Sequence, residues 1–211
     1  CTYSTVHSWF ILRFMPVRPD DSPMQIAQLQ MFSAGIPKRE DAEKFEVNEM
    51  PQLYECGETT SDKQWFGVGK RLNCAGLLKL RVTNGRYPQL IATLTDGRDP
   101  FNFMVDFNPE KKKQGFAALS FISALAGLDN HAPNYQASFS LTVGGRTAVF
   151  INFWVPTDDD ANREQANLPL VNDTALMKAE IGLMQQRLGS VPQYEPRCNP
   201  TLKQLREPVA A

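Results

Sequence analysis

Asp158, Asp160, Asn162 and Glu164 set oxygen donors at every second position, an alternation that can converge on one calcium ion. Arg163 stands where the sharp turn of such a loop needs glycine, and no glutamate follows at the closing position. The expectation is therefore a solvated acidic loop and no metal site. Other donors are sparse. His7 and His131 are far apart in sequence, and neither has an obvious nucleophile or carboxylate beside it, so neither is expected to catalyse. The cysteines, Cys1, Cys56, Cys74 and Cys198, contain no C-x-x-C pair, which argues against structural zinc. Their even number leaves a Cys56–Cys74 bridge, a Cys1–Cys198 bridge and four free thiols equally open.

No G-x-S-x-G elbow, Walker loop or H-E-x-x-H helix is present. Gly67 to Lys70, "GVGK", lacks the spacing of a phosphate loop and reads as a turn. Arg98 and Asp99 stand beside Pro100; they fit an ion pair closing a turn, or an Arg98 ligand contact. Ring faces can stack on sugars, so Trp65, Phe66, Tyr54 and Tyr87 form a candidate platform, against which stands ordinary core packing. Trp65, Phe66, Tyr87 and Arg98 are the candidate ligand-binding residues. No catalytic residue and no cofactor is expected.

These residues need a scaffold, and the chain can build one. It has 211 residues, enough for a core without disulfides or metals. Apolar residues make up 42 %, with 13 Phe and 3 Trp, which places it among globular chains. Its 22 basic and 23 acidic residues nearly cancel, so no general field attracts nucleic acid or an anionic membrane. The run Lys111–Lys113 reads as a solvated helix start. No apolar stretch approaches the roughly 18 residues of a membrane span. The chain opens at Cys1, which suggests processing or truncation; a lipidated bacterial terminus is disfavoured because Trp9 opens a strand so soon.

Ser8–Val17, "SWFILRFMPV", is rich in strand formers, and prolines end it. The next strand, Met24 to Ser33, switches faces at Ala27-Gln28, as a bulge would make it do. A long polar connection follows, then a turn leading to Trp65. Gly76–Asn84 alternates through Leu78, Leu80 and Val82, with Leu77 as an extra apolar residue, and two more strands run to Phe107. Trp9, Phe14, Ile26, Leu29, Leu80 and Leu94 are expected inside. Lys112 to Asn130 reads as a helix apolar on most faces, ended by Gly127 or Asn130. Gly144-Gly145 separates two strand-like runs, so Phe139–Val143 is expected to pair with Thr147–Ile151 across a tight turn. Asp173 to Gly189 reads as a helix with Met177, Ile181, Met184 and Leu188 along one stripe. The proline-rich tail from Ser190 to Ala211 offers Tyr194, Leu202 and Leu205 as separate anchors.

Three stretches carry a resemblance: Gln25 to Phe32, Thr60 to Phe66, and Thr95 to Pro100. In this order they resemble, permuted, the discoidin or coagulation-factor C-type family over about residues 9–107. The resemblance implies an antiparallel jelly-roll β-sandwich of galactose-binding-like type that binds glycans, lipid headgroups or proteins and rarely catalyses. The sequence departs from the family's pattern at "CGETTSD", which argues against its usual calcium site, and at Gln28, where the family has a glutamate.

The expected organisation is a sandwich over 1–107, a helix and hairpin extending it over 108–172, and an amphipathic helix with a tail over 173–211. The expected function is a non-catalytic accessory subunit of a larger assembly with protein partners, such as an organellar photosynthetic or respiratory complex. Its partner-binding residues would be Met177, Ile181, Met184, Leu188, Tyr194, Leu202 and Leu205. A glycan- or lipid-headgroup-binding module is the alternative, and an enzyme with an unrecognised site a further one. The expected location is an organelle lumen beside a membrane complex, or outside the cell.

Overall fold

The computed structural model describes residues 29–57, 62–132, 134–157 and 162–190. The expected strand with Trp9 and Phe14, the bulge near Ile26, the tail anchors Tyr194, Leu202 and Leu205, and Asp158 and Asp160 lie outside these residues, as do Cys1, Cys198 and His7.

Among the described residues the chain is mainly β, with ten strands in two sheets and three helices, the arrangement of a β-sandwich. The larger sheet contains β1 (Met31–Gly35), β2 (Gln52–Cys56), β3 (Lys63–Trp65), β5 (Gly76–Val82), β6 (Gln89–Thr95) and β7 (Pro100–Asp106), in the order β3-β2-β1-β7-β6-β5. The smaller contains β4 (Arg71–Cys74), β8 (Phe139–Gly144), β9 (Phe150–Pro156) and β10 (Arg163–Gln165), in the order β10-β9-β8-β4. The chain crosses from one sheet to the other at Ala75, between β4 and β5. A short helix, α1 (Arg39–Lys44), sits inside the connection read from sequence as irregular.

The larger sheet is not antiparallel throughout, as had been expected. Met31 lies beside Asn102 and Phe32 beside Phe103 in a parallel β1–β7 pair. Two antiparallel ribbons, β1–β2 and β5–β6–β7, meet there along edges that run the same way. Alternation along one strand reports its faces, not which later strand lies beside it.

Side-chain alternation builds the inner face. Leu90, Ala92 and Leu94 stand opposite Val105, Phe103 and Phe101, and all six are buried. The extra apolar residue of β5 marks a bulge: Leu77 pairs with Leu94 and Lys79 with Thr93, leaving Leu78 unmatched. The shift lets Leu77 and Leu80 both point inward. Leu80 and Leu94 are thus inside, while Leu29 is half-buried.

The second half supplies the wedge between the sheets. They touch directly where β2 meets β8, but elsewhere α2 (Phe116–His131) packs on both. Phe121 lies 5.0 Å from Phe103 of one sheet and 6.0 Å from Phe153 of the other. Every residue from Ser120 to Asp129 is buried. Gly127 does not end this helix; it lets the carbonyl of Ala166 approach where a side chain would stand. The segment 166–172 crosses α2 as a strap, with the Leu168 N–H donating to Ser123 O at 3.1 Å and the Ser123 hydroxyl to Leu168 O.

The hairpin forms with a longer turn than expected. Val143 pairs with Ile151 and Gly144 with Phe150, so residues 145–149 make the loop. Gly145 takes a φ of 113° and Gly144 does not adopt the left-handed region.

Helix α3 (Thr174–Ser190) begins where Asp173 accepts the N–H groups of Ala175 and Leu176 at 2.9 and 3.1 Å. Its stripe corrects the docking expectation. Met177, Ile181 and Met184 are buried in this chain's own core and Leu188 packs against it, because the helix lies on α2 and β5. These four residues cover the sandwich and are not free for a partner. One apolar cluster runs from Phe32 to Met184 and draws on all three expected segments.

Candidate functional site

The four candidate ligand-binding residues do not converge. Trp65 and Phe66 are neighbours on one edge of the larger sheet, yet they face opposite ways. Phe66 turns inward, 6.1 Å from Phe32. Trp65 turns to the outer face, 4.7 Å from the Tyr54 ring and over Gly35, with only 6 % of its surface exposed. The Lys63 ammonium lies 4.7 Å from the Tyr54 ring centre. A buried indole offers no stacking face to a sugar. Tyr87 is 74 % exposed, but it precedes β6 while Arg98 follows it. Seven residues of strand hold the two about 23 Å apart. Four strand spacings, about 19 Å, separate β6 from β3 and Trp65.

Arg98 also has a different local role from the one expected. The Asp96 carboxylate closes the turn, accepting the N–H groups of Arg98 and Asp99 at 2.7 and 2.8 Å. The turn is an Asx type, built by a residue two positions upstream of Arg98.

The described cysteines, Cys56 and Cys74, are both free thiols. Burial raises the Cys74 thiol far above its ordinary range, with the Asp96 charge adding to it. Burial also raises Cys56, and Lys63 offsets only part of that. Neither environment makes a thiolate nucleophile. His131 does have a carboxylate neighbour, missed in sequence: its Nδ1 lies 3.5 Å from Glu164 of β10. Among the described residues no group of three or more His, Cys, Asp or Glu could hold a metal.

Buried polar groups serve the architecture. Asn167 of the strap donates to Ser120 O at 3.1 Å and Ile151 O at 2.9 Å, and accepts the Phe153 N–H at 3.1 Å. Gln114, at the entry to α2, donates to Asn108 O at 2.7 Å and to the Thr174 hydroxyl at 2.8 Å. Asn172 and Gln114 bond each other twice, at 2.9 and 3.0 Å. Asp129 of α2, 8 % exposed, is paired with Arg187 of α3. These contacts lock helix, strap and sheet into one body.

One open region, at the entry to α2, is largely apolar. Phe116 is 55 % exposed and sits 5.3 Å from the exposed Phe150 ring. Beside them runs a groove of about 260 Å³, walled by Leu119, Leu168, Pro169 and Leu170. Val171, Leu176 and Leu183 are exposed on the strap and α3. Phe150 could have been found in sequence: in a strand with Ile151, Phe153 and Val155 inside, position 150 must face out. Leu176 and Leu183, seven residues apart, were hidden by the stronger buried stripe. No family model, no curated protein and no solved structure matches the chain.

Proposed function

We propose that this chain is a non-catalytic binding subunit of a larger protein assembly. The observation that carries the reading is the second apolar stripe of α3. Leu176 and Leu183 lie two turns apart, about 20° from one line along the helix. They point away from the face that Met177, Ile181 and Met184 bury. A helix with one apolar stripe in its own core and another bare is suited to a second contact. Val171 on the neighbouring strap extends the apolar surface. The raised thiols and the structural use of Asn167, Gln114 and Asp129 support a binding role over a catalytic one. The galactose-binding-like likeness of the sandwich belongs to the same proposal; its support is the two-sheet packing and the order of the three sequence stretches. Among the described residues no helix is long and apolar enough to cross a membrane.

The test is the native mass of material purified from its source, beside that of a Val171→Ser, Leu176→Ser, Leu183→Ser variant. The native protein should travel as a species well above the 23.7 kDa of the chain. The variant should be released from it with an unchanged melting temperature. A native species of the chain's own mass would refute the subunit reading.

A further inference from the structure

We propose that the Phe116–Phe150 groove receives a bulky apolar side chain of a protein segment that carries carboxylates on either side of it. This deepens the binding-subunit reading and rests on it. Three features define the occupant.

The first is size. The hollow of about 260 Å³ falls below the roughly 300–1,000 Å³ of small-molecule sites. It suits one large side chain.

The second is polarity. The amides at the groove are already committed: Asn167 as described, and Gln165 to Asn152 at 2.8 Å. The Ser120 hydroxyl donates to Phe116 O at 2.7 Å and accepts the Ile151 N–H at 2.9 Å. Among the described residues no buried side-chain polar atom of the floor lacks a partner, whereas both phenyl rings are wet. Filling the groove removes mainly apolar surface from water.

The third is the charge of the rim. Lys113 is three residues from Phe116, so their Cα atoms are at most about 11 Å apart. Lys111 and Lys112 adjoin it, and Arg146 tips the hairpin that ends at Phe150; all four are exposed. Among the described residues the acids flanking these segments are Glu110, Asp173 and Glu164; Glu164 is balanced by its neighbour Arg163, and Asp173 is engaged in capping α3. The rim therefore sums to about +2, within reach of a Debye length. Gly115, the N-cap of α2, brings no side chain to the first N–H groups of that helix, whose dipole adds to the positive field. An anionic segment is steered to this rim. A membrane would also answer to lysine and phenylalanine, but it needs side chains that project outward. Here the apolar surface is concave.

The probe is a nine-residue peptide with a Leu-Phe pair between glutamates, compared with a lysine-for-glutamate twin and an alanine-for-Leu-Phe twin. Fluorescence anisotropy with the full chain should show the acidic peptide binding about tenfold or more tighter than either twin, and weakening as salt rises. Phe116→Ser and Lys111→Glu/Lys112→Glu/Lys113→Glu should each lose about tenfold. All these side chains are exposed, so circular dichroism should be unchanged. Equal binding of the lysine twin, or indifference to both variants, overturns the proposal. So does capture by phosphatidylcholine–phosphatidylserine vesicles without peptide binding, which would assign the surface to lipid. A native complex that persists while the peptide fails would leave the subunit reading standing and remove only this inference.

Discussion

The carbonyl oxygen of Ala166 occupies the space that a β-carbon on Gly127 would need. A backbone group of the strap thus meets the helix without any side chain between them. In an exposed helix, replacing glycine with alanine stabilises by about 1 kcal/mol. Here Gly127→Ala must push back a strap held through Ser123, Asn167 and Gln114. We expect a net loss of about 3 kcal/mol, measured by urea denaturation. An unchanged or raised midpoint would mean that the strap is not in contact.

The Tyr135 ring is wholly buried, and its hydroxyl has no hydrogen-bond partner. Burial, with a smaller push from Glu180, raises its pKa from 10.0 to about 12. The unfolded chain therefore loses this proton near its ordinary pKa while the folded chain holds it, so rising pH favours unfolding. The stabilising difference is full below the ordinary pKa and fades as pH climbs through about 12. Tyr135→Phe removes an unpaired donor and should be neutral or slightly stabilising at pH 7. Its advantage over the parent should widen between about pH 10 and 12. Parallel denaturation curves at neutral and alkaline pH would show a constant gap if the hydroxyl were solvated.

Asp129 and Arg187 join α2 to α3 with one partner buried and the other half-exposed. Arg187→Ala strands a buried carboxylate, and the partial exposure softens the cost to about 2 kcal/mol. Asp129→Asn keeps the shape without the charge and should cost less. Equal losses in the two variants would show that the lost attraction, and not a stranded carboxylate, sets the cost.

The hairpin glycines should separate in their sensitivity. Gly145, at a φ of 113°, would press a side chain on the Ala148 carbonyl, so Gly145→Ala should cost about 1–3 kcal/mol. Gly144 has only the Asn152 amide at 3.7 Å from an added carbon, and Gly144→Ala should stay within about 0.5 kcal/mol. Thermal melts of the two single variants decide this.

The elements that could be read in the sequence were those whose period was strong and local. The stripe Met177–Ile181–Met184 marked α3, and the surplus apolar residue at Leu77 marked an irregularity that became a bulge. The stripe could not say what it faced. Apolar periodicity is the same whether the cover is a partner or the chain's own sheet. β4 was missed because "RLNC" is short and half polar, and it is a strand only because β8 lies beside it. Gly127 looked like a helix end because glycine commonly ends helices; a close approach by a residue 39 positions later leaves no local mark. The same holds for Asp129 with Arg187 and for His131 with Glu164. Each candidate ligand residue was read sensibly by type, but sequence spacing carried no information about the sheet faces and strand steps that keep them apart.

The enclosure of α2 sets an order of events on the ribosome. The helix is apolar almost all round, and three of its covers, β9, the strap and α3, are made after it. At roughly 5–20 residues per second the nascent chain carries this helix uncovered for several seconds. Of its partners in the sheets, β7 is made before it and β9 only after it, so the core cannot close when the helix first forms. Until α3 emerges, Phe121, Ile122, Leu125 and Leu128 form an adhesive surface that a holding chaperone would bind. Yield in a host short of such chaperones should fall through losses during synthesis, even where the finished protein is stable.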